Sequence, residues 1–524
     1  MKKKSLICVS VVMIMILGIL FTACKNYNFY EVPTKTYKEG EEFLEGCGNT
    51  NNGYDKESEE VDRLIGITPS QRQLDYMELE YYNFIHFGMN TFTGDEWGKG
   101  NESPSKFNPK NLNTDQWCEI LKASGSKGVI ITAKHHDGFC LWQTETTEHS
   151  IKNSPYKNGK GDIVAELAES CKKYGLKMGI YLSPWDMNAE CYGTDEYNDF
   201  YKRQLTELLD GRYGEIFCVW MDGALGEDAE LEEGFEYDIE GYEELIHELQ
   251  PNCVTAIQGS DVRWVGNEAG IARESEWSVV SVSNAKNDNF QTSEDGADEL
   301  QKVSDEDRDL GSRELLEQYK DLAWRPAEVD VSIRKGWFYH WYQSPKTLEH
   351  LLQIYYTSVG GNSSLLLNVP PNKDGLIDKK DEAVLRAFGK AIADSKSKPI
   401  AVESIEVGDN KTMTSKPQLN NLLNTQRDGY TFEDNEYILD FHLKEETQLY
   451  RFDIREDTRF SQRVEAFEVW IKNGDKWQLI GDSTVIGNRR ILMFENAPKT
   501  NLVRVVIKQS RSVPVIRSVE LYAK

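Results

Sequence analysis

Between residues 66 and 395, short apolar runs alternate with stretches in which apolar positions return every three or four residues. The runs occupy 81–87, 128–133, 176–182, 215–221, 253–257, 277–281, 328–333 and 364–369. Their length and their content of branched and aromatic residues predict strands buried on both faces. Helix signals lie between several of them: Asn113 before Asp115–Lys122, Asp162 before Ile163–Ala168, and Ser344-Pro345 with a proline at the first helical position before Leu348–Tyr356. Alternating strands and helices require a parallel sheet with right-handed crossovers, and eight such units predict an α/β fold, a (β/α)8-like (TIM) barrel. Regular helices are not readable between the fifth, sixth and seventh strands, and Asn284–Asp309 reads as a long surface loop, so irregularity is expected there.

Beyond residue 395 the pattern changes to period two. Tyr450–Arg455, Ala466–Ile471, Trp477–Ile480 and Leu502–Ile507 alternate apolar with polar positions, with turns at Asn473-Gly474-Asp475 and Gly487-Asn488. Residues 396–524 are therefore expected to form an all-β sandwich domain.

The first 24 residues read as a signal peptide: Lys2-Lys3-Lys4, an apolar run from Leu6 to Phe21, then Thr22-Ala23-Cys24. This ending resembles a bacterial lipobox, whose cysteine is acylated. Phe21 stands where that motif carries Leu, Val or Ile, so ordinary secretion and an uncleaved anchor are the alternatives. Residues 25–65 are polar, include Gly48-Asn-Thr-Asn-Asn-Gly53, and read as a linker. No other segment is long and apolar enough to span a bilayer, which leaves a lipid anchor as the one expected membrane contact.

The net charge of −27 repels phosphate backbones, so nucleic acid is not expected as a partner. Part of the excess is local, in residues 226–244, which carry ten acidic residues and no Lys or Arg; such runs usually solvate a surface. Apart from Cys8 and Cys24 in the leader, the cysteines (Cys47, Cys118, Cys140, Cys171, Cys191, Cys218, Cys253) show no paired spacing and no zinc-finger histidines. They are expected to be mostly reduced structural thiols, with no metal and no cofactor.

The chemistry is concentrated at strand ends. Tyr213–Ala224 is almost wholly apolar until it delivers Asp222 just before a glycine. A charge on a buried barrel strand is tolerable only at its mouth, where catalytic groups of parallel α/β enzymes sit. Gly128–Phe139 likewise ends in His135-His136, and Tyr81–Gly88 ends in His86. Three polar strand ends thus face one rim.

His86-Phe-Gly88, Asp95-Glu-Trp-Gly98, Lys134-His-His-Asp-Gly-Phe139, Val219-Trp-Met-Asp-Gly223 and Trp264-Val-Gly-Asn-Glu-Ala-Gly270 together resemble the glycoside hydrolase family 29 α-L-fucosidases over residues 66–395. The resemblance implies retention of anomeric configuration, with a fourth-strand aspartate, here Asp222, as nucleophile. The Gly-Asn-Glu motif resembles that of the branch acting on α-1,3 and α-1,4 linkages and makes Glu268 the acid/base. An oxocarbenium-like transition state independently calls for an ionised and a protonated carboxyl group about 5–5.5 Å apart when configuration is retained, and such proximity drives their proton affinities apart.

His86, His135 and His136 fit three readings: zinc ligands, satisfied core histidines, or partners of sugar hydroxyls as the resemblance implies, neutral histidine offering one donor and one acceptor. Glu96 and Trp97 fit a second-strand loop that holds the 4-hydroxyl region and the apolar face of a 6-deoxy sugar. Trp220 and Trp337 fit both a sugar wall and barrel core, and Tyr181 and Trp185 are weaker candidates at the third strand end. Asp137, Asp186, Glu328 and Asp330 read as decoys, and Glu276 is the rival for the acid role; the glycine-flanked turn around Glu268 favours the latter. Arg263, Trp264, Glu276, Trp324 and Arg325 are candidates for contacting a second sugar.

The expected protein is a retaining exo-α-L-fucosidase, secreted or lipid-anchored at the bacterial cell surface, acting on fucosylated oligosaccharides or glycoconjugates with α-1,3/1,4 linkages. The alternatives are a retaining barrel glycosidase of other sugar specificity and a surface glycan-binding lipoprotein with a weak site. For the C-terminal domain, a structural role against the barrel stands beside independent glycan binding.

Overall fold

The computed structural model describes residues 29–30, 36–38, 59–226, 231–285, 309–425, 428–433 and 435–524. The leader, most of the linker, Glu227 to Glu230 of the acidic run, and residues 286–308 of the expected surface loop lie outside them.

Eight parallel strands form the barrel: β1 (Tyr81–Ile85), β2 (Gly128–Lys134), β3 (Lys177–Leu182), β4 (Ile216–Met221), β5 (Val254–Ile257), β6 (Arg263–Trp264), β7 (Ala327–Ser332) and β8 (Ser364–Asn368). They neighbour one another in the order β5-β4-β3-β2-β1-β8-β7-β6. The ring closes through one parallel bridge between Ala256 and Val262, made by Ile257 N–H to Val262 O (3.1 Å) and Val262 N–H to Thr255 O (3.1 Å). Only four residues separate β5 from that bridge, so no helix fits between the fifth and sixth strands.

The sixth strand differs from the sequence expectation. The apolar run at 277–281 does not enter the barrel: Val279–Ser281 pairs antiparallel with Leu322–Trp324 in a separate two-stranded sheet. The barrel position belongs instead to Arg263–Trp264, which pairs with Ala327 and Glu328. Two residues, one of them an arginine, carry no readable strand pattern.

The helices cover the strands as their caps dictate. Asn113 accepts from Gln116 N–H at the head of Thr114–Ala123, and Asp162 from Ala165 N–H at the head of Ile163–Tyr174. The helix expected from Ser344-Pro345 starts later, at Leu348, where Thr347 accepts from His350 N–H. Strand alternation sends Tyr82, Phe84, Tyr181, Trp220 and Leu366 to an interior core and the intervening residues to a second core beneath the helices.

The C-terminal domain is an antiparallel sandwich whose two sheets share the long strand Ile438–Glu456. Its first half pairs with Val402–Gly408 and Lys499–Ser510, its second half with Arg490–Phe494 and Val515–Ala523. The segment read as a linker contributes more than a tether: Phe29–Tyr30 pairs with Met493–Phe494, Thr36–Lys38 with Lys476–Gln478, and Glu59–Ile65 is helical.

The sandwich meets the barrel at the end opposite the mouth. Glu80, immediately before β1, is buried between Arg455 and Arg489 (2.7 Å to the latter), and Arg313 pairs with Glu465 at 2.8 Å. Burial alone would raise the Glu80 carboxyl, but the two guanidinium groups hold it well below its ordinary value. Gln462 Nε2 donates to Glu276 O (3.2 Å) and Arg490 Nη2 to Glu274 O (3.1 Å), so the sandwich also props the chain that follows Glu268.

Candidate active site

Inward residues recur every second position along a strand, so the residue beyond each strand's last inward aromatic tops the barrel interior. Trp220 is followed by Asp222 and Phe84 by His86 in this way. Trp220 and Tyr181 are register partners on neighbouring strands and stack with centroids 5.3 Å apart. Trp220 is buried and donates its Nε1–H to Glu328 Oε1 (2.6 Å), while Tyr76 and Tyr82 donate to the other oxygen. This side chain therefore belongs to the core layer beneath the mouth, and Glu328 is its anchor.

Asp222 is partly exposed at the centre of the mouth. Oδ2 accepts from Tyr181 Oη (3.0 Å) and Oδ1 from Ala224 N–H (2.8 Å). Burial and the adjacent Asp222 raise the Tyr181 phenol far above its ordinary value, so it remains a donor.

The three histidines are neighbours, with centroids 5.7 Å apart for His86 and His135 and 4.1 Å for His135 and His136. Burial, the dominant cause, lowers all three and brings His86 to about 3. Neutral rings have one donor and one acceptor each, and the surrounding backbone fixes which is which. Asn368 accepts at Oδ1 from the His86 backbone N–H (3.2 Å) and donates from Nδ2 to Trp337 O (2.8 Å), so its orientation is set. His86 Nδ1, 2.9 Å from the same Oδ1, is then the protonated nitrogen, and Nε2 is an acceptor. The single Ser183 hydroxyl proton goes to Trp185 O (2.7 Å), so His136 Nδ1 donates to Ser183 Oγ (2.7 Å) and its Nε2 is likewise an acceptor. Asn90 Nδ2 donates to Glu96 O (2.8 Å) and to His135 Nδ1 (3.4 Å), leaving His135 Nε2–H as a donor. Two acceptors and one donor line one wall. His136 Nε2 lies 3.8 Å from Asp222 Oδ2.

Glu96 and Trp97 sit in the loop after the first strand rather than the second. Glu96 Oε2 accepts from the backbone N–H groups of Trp337 (2.8 Å) and Phe338 (3.3 Å), and Oε1 lies 2.9 Å from His340 Nε2. Gly336 permits this clasp, since a Cβ there would stand 2.6 Å from Glu96 Oε1. Trp97, 60% exposed, meets Trp185 edge to face at 5.9 Å, and Trp185 in turn lies on His136 at 4.6 Å. Trp337 is only partly buried; its ring lies 5.0 Å from that of His86, and its Nε1–H donates to Glu268 Oε2 (3.3 Å).

Glu268, itself exposed, stands on a turn pinned by buried Asn267, whose Oδ1 accepts from Ala269 N–H (3.1 Å), and by a bridge between Ala269 and Val331. Although solvent reaches the turn, surrounding protein desolvates the carboxyl and, with Asp222 and Glu96, raises it; the Trp337 hydrogen bond acts the other way. Glu276 has the opposite character. It is fully buried between Arg263 and Arg273, and these cations lower it despite the burial. It faces no open space, and Arg263, Arg325 and Trp324 are buried with it, so none of these four is placed to touch a second sugar. Trp264 is half-buried and spends its Nε1–H on Asp330 (2.7 Å).

Of the remaining carboxylates, Asp137 accepts from Phe139 N–H (2.7 Å), capping its own turn, and Asp186 pairs with buried Lys134 (2.9 Å). Among the described residues no group of three His, Cys, Asp or Glu side chains is arranged to hold a metal. The six described cysteines are free. Asn368, Ser183, Asn90 and His340 escaped the sequence reading. Asn368 alone had a signal, ending the apolar run Leu365-Leu-Leu-Asn368 much as Asp222 ends its own.

The mouth thus presents the carboxyl groups of Asp222, Glu268 and Glu96, neutral histidines and aromatic walls, a polyol-binding arrangement. Residues 55–395 match the family model for α-L-fucosidase. The chain belongs to the α-L-fucosidase family of glycoside hydrolases. It is 40% identical over 465 residues, 87% of each chain, to α-L-fucosidase 1 of Arabidopsis thaliana. Among solved structures, a fucosidase of glycoside hydrolase family 29 from Ruminococcus gnavus in complex with fucose is 29% identical, with a TM-score of 0.74 over 94% of this chain and 99% of that one. A family 29 member from a rumen bacterium is 35% identical, with a TM-score of 0.72 over 87% and 77% of the two chains. The expected barrel followed by a sandwich is borne out.

Proposed function

We propose that this α-L-fucosidase works by double displacement with retention, Asp222 serving as nucleophile and Glu268 as acid/base. The observation that carries this reading is the contrast between the two carboxyl groups. Asp222 has a donor on each oxygen and faces the histidine wall, whereas desolvation and neighbouring carboxylates favour the protonated form of Glu268. In the first step an Asp222 oxygen bonds to the anomeric carbon while the glycosidic oxygen leaves with the Glu268 proton. In the second, Glu268 takes a proton from water, whose oxygen displaces Asp222. His86 and His136 accept from sugar hydroxyls and His135 donates to one; Glu96 holds a further hydroxyl, and Trp97 and Trp337 flank the apolar face and the C6 methyl group.

The glycine-flanked turn Gly266–Gly270 supports a preference for α-1,3 and α-1,4 linkages, and the lipobox-like leader supports a secreted or lipid-anchored protein at a bacterial surface. Asp222→Ala should abolish release of fucose and recover partly with azide. Glu268→Ala should lose far more activity on natural glycans than on an aryl fucoside with an activated leaving group, which needs little protonation. Equal losses on both substrates would remove Glu268 from the acid role. Similar rates on α-1,2-, α-1,3- and α-1,4-linked substrates would refute the linkage preference alone.

A further inference from the structure

The most solvent-exposed large hydrophobic side chains among the described residues are Trp341 at 81% and Tyr342 at 66%. They are adjacent, and they form the two corners of a tight turn closed by Gln343 N–H to His340 O (3.1 Å). Turn corners are ordinarily Gly, Pro, Asn, Asp or Ser, and two large aromatic residues there cost hydration without any local conformational gain.

The turn is also held from below. Arg334, buried, donates from Nη1 to His340 O (3.3 Å) and Gln343 O (2.6 Å) and from Nε to buried Asp381 (2.8 Å). A buried guanidinium therefore fixes both ends of a turn whose corners point into water. The Trp341 and Tyr342 rings meet at 88° with centroids 5.9 Å apart, making an aromatic corner. That corner is wired to the catalytic mouth: His340 Nε2 contacts Glu96 Oε1, Glu96 clasps the Trp337 backbone, and Trp337 Nε1–H reaches Glu268.

We propose that Trp341 and Tyr342 form a stacking platform for a hexopyranose of the aglycone, the part of the glycan that carries the fucose. A pyranose presents a face of C–H groups that packs on aromatic rings, and an exposed apolar patch beside a pocket is where such a face docks. Because Arg334 pins both ends of the turn, little backbone ordering is lost on binding. The platform takes the place of the buried Arg263, Glu276, Trp324 and Arg325 as the contact to a second sugar. It rests on the reading that fucose occupies the pocket bounded by Asp222 and Glu268.

The test is kcat/KM for a fucosylated oligosaccharide divided by kcat/KM for an aryl fucoside, measured in the wild type, Trp341→Ala, Tyr342→Ala and Trp341→Phe. The ratio should fall roughly tenfold in Trp341→Ala, the value of one lost apolar contact, and be largely kept in Trp341→Phe. A ratio within twofold of the wild type in both alanine variants would overturn the platform while leaving the fucosidase reading intact. Wild-type protein that cleaves neither substrate would instead sink the underlying reading. Sedimentation of the same proteins addresses the other occupant: a dimer abolished by Trp341→Ala would overturn the proposal in favour of a contact between two copies of the chain.

Discussion

Replacing Asn368 by Leu tests how the histidine wall is assembled. The two side chains are similar in size, but leucine removes four hydrogen bonds: Oδ1 to the His86 backbone N–H and Nδ1, and Nδ2 to Ser332 Oγ (2.8 Å) and Trp337 O (2.8 Å). His86 loses the partner that fixes its proton on Nδ1, so Nε2 is no longer held as an acceptor toward a sugar hydroxyl. Leaving a buried polar group unpaired costs about 1–3 kcal/mol. If that cost falls on the transition state, at about 1.4 kcal/mol per decade, kcat/KM should drop roughly 10- to 100-fold. The assay is kcat/KM on an aryl α-L-fucoside well below the melting temperature, with thermal unfolding followed in parallel to exclude a mere loss of folded protein. Asn368→Asp sharpens the test. It keeps the acceptor for His86 but adds a carboxylate that raises a ring now held near 3. Protonation would then consume the Nε2 acceptor as pH falls, so the acidic limb of the pH profile should move to higher pH. Activity of Asn368→Leu within twofold of the wild type would refute the reasoning.

Glu276→Gln should lower stability by about 3–5 kcal/mol, because Arg263 and Arg273 are left buried without their carboxylate. Its relative kcat/KM on good and poor leaving groups should match the wild type; selective loss on poor leaving groups would return Glu276 to the acid role. Glu80→Gln should destabilise the junction of barrel and sandwich at pH 7 in denaturant titrations. Since the folded carboxyl is held well below its ordinary value, its stabilisation is complete above about pH 4.3, the unfolded value, and fades as pH falls below it. The gap between wild type and variant should therefore narrow in acid, and a gap that widens would contradict the pairing.

The parts of this fold legible in the sequence are those where burial and chemistry coincide on one strand. Asp222 and the His135-His136 pair stand out because an apolar run ends in a charge or an imidazole, and the barrel topology brings such ends together. The sixth strand was illegible for the opposite reason: Arg263–Trp264 is too short for a period, while the apolar run 277–281 satisfies its hydrophobicity in a side hairpin. Glu96 and Trp97 were given to the second strand's loop although the runs 81–87 and 128–133 flank them; in the structure they follow Met89–Thr93 in the loop after β1. Asn90, Ser183 and His340 were missed because each acts on another site residue across a long sequence separation, a relation no local pattern records. The buried pairing of Glu276 required the same three-dimensional information.

The measurement closest to the central claim is mass spectrometry of the protein treated with a 2-deoxy-2-fluoro-fucosyl fluoride, whose glycosyl ester forms faster than it hydrolyses. A stoichiometric fucosyl adduct on a peptide containing Asp222, absent in Asp222→Ala, is the result predicted by a double displacement at this residue. An adduct on another carboxylate, or steady turnover with inversion at the anomeric carbon and no adduct, would contradict it.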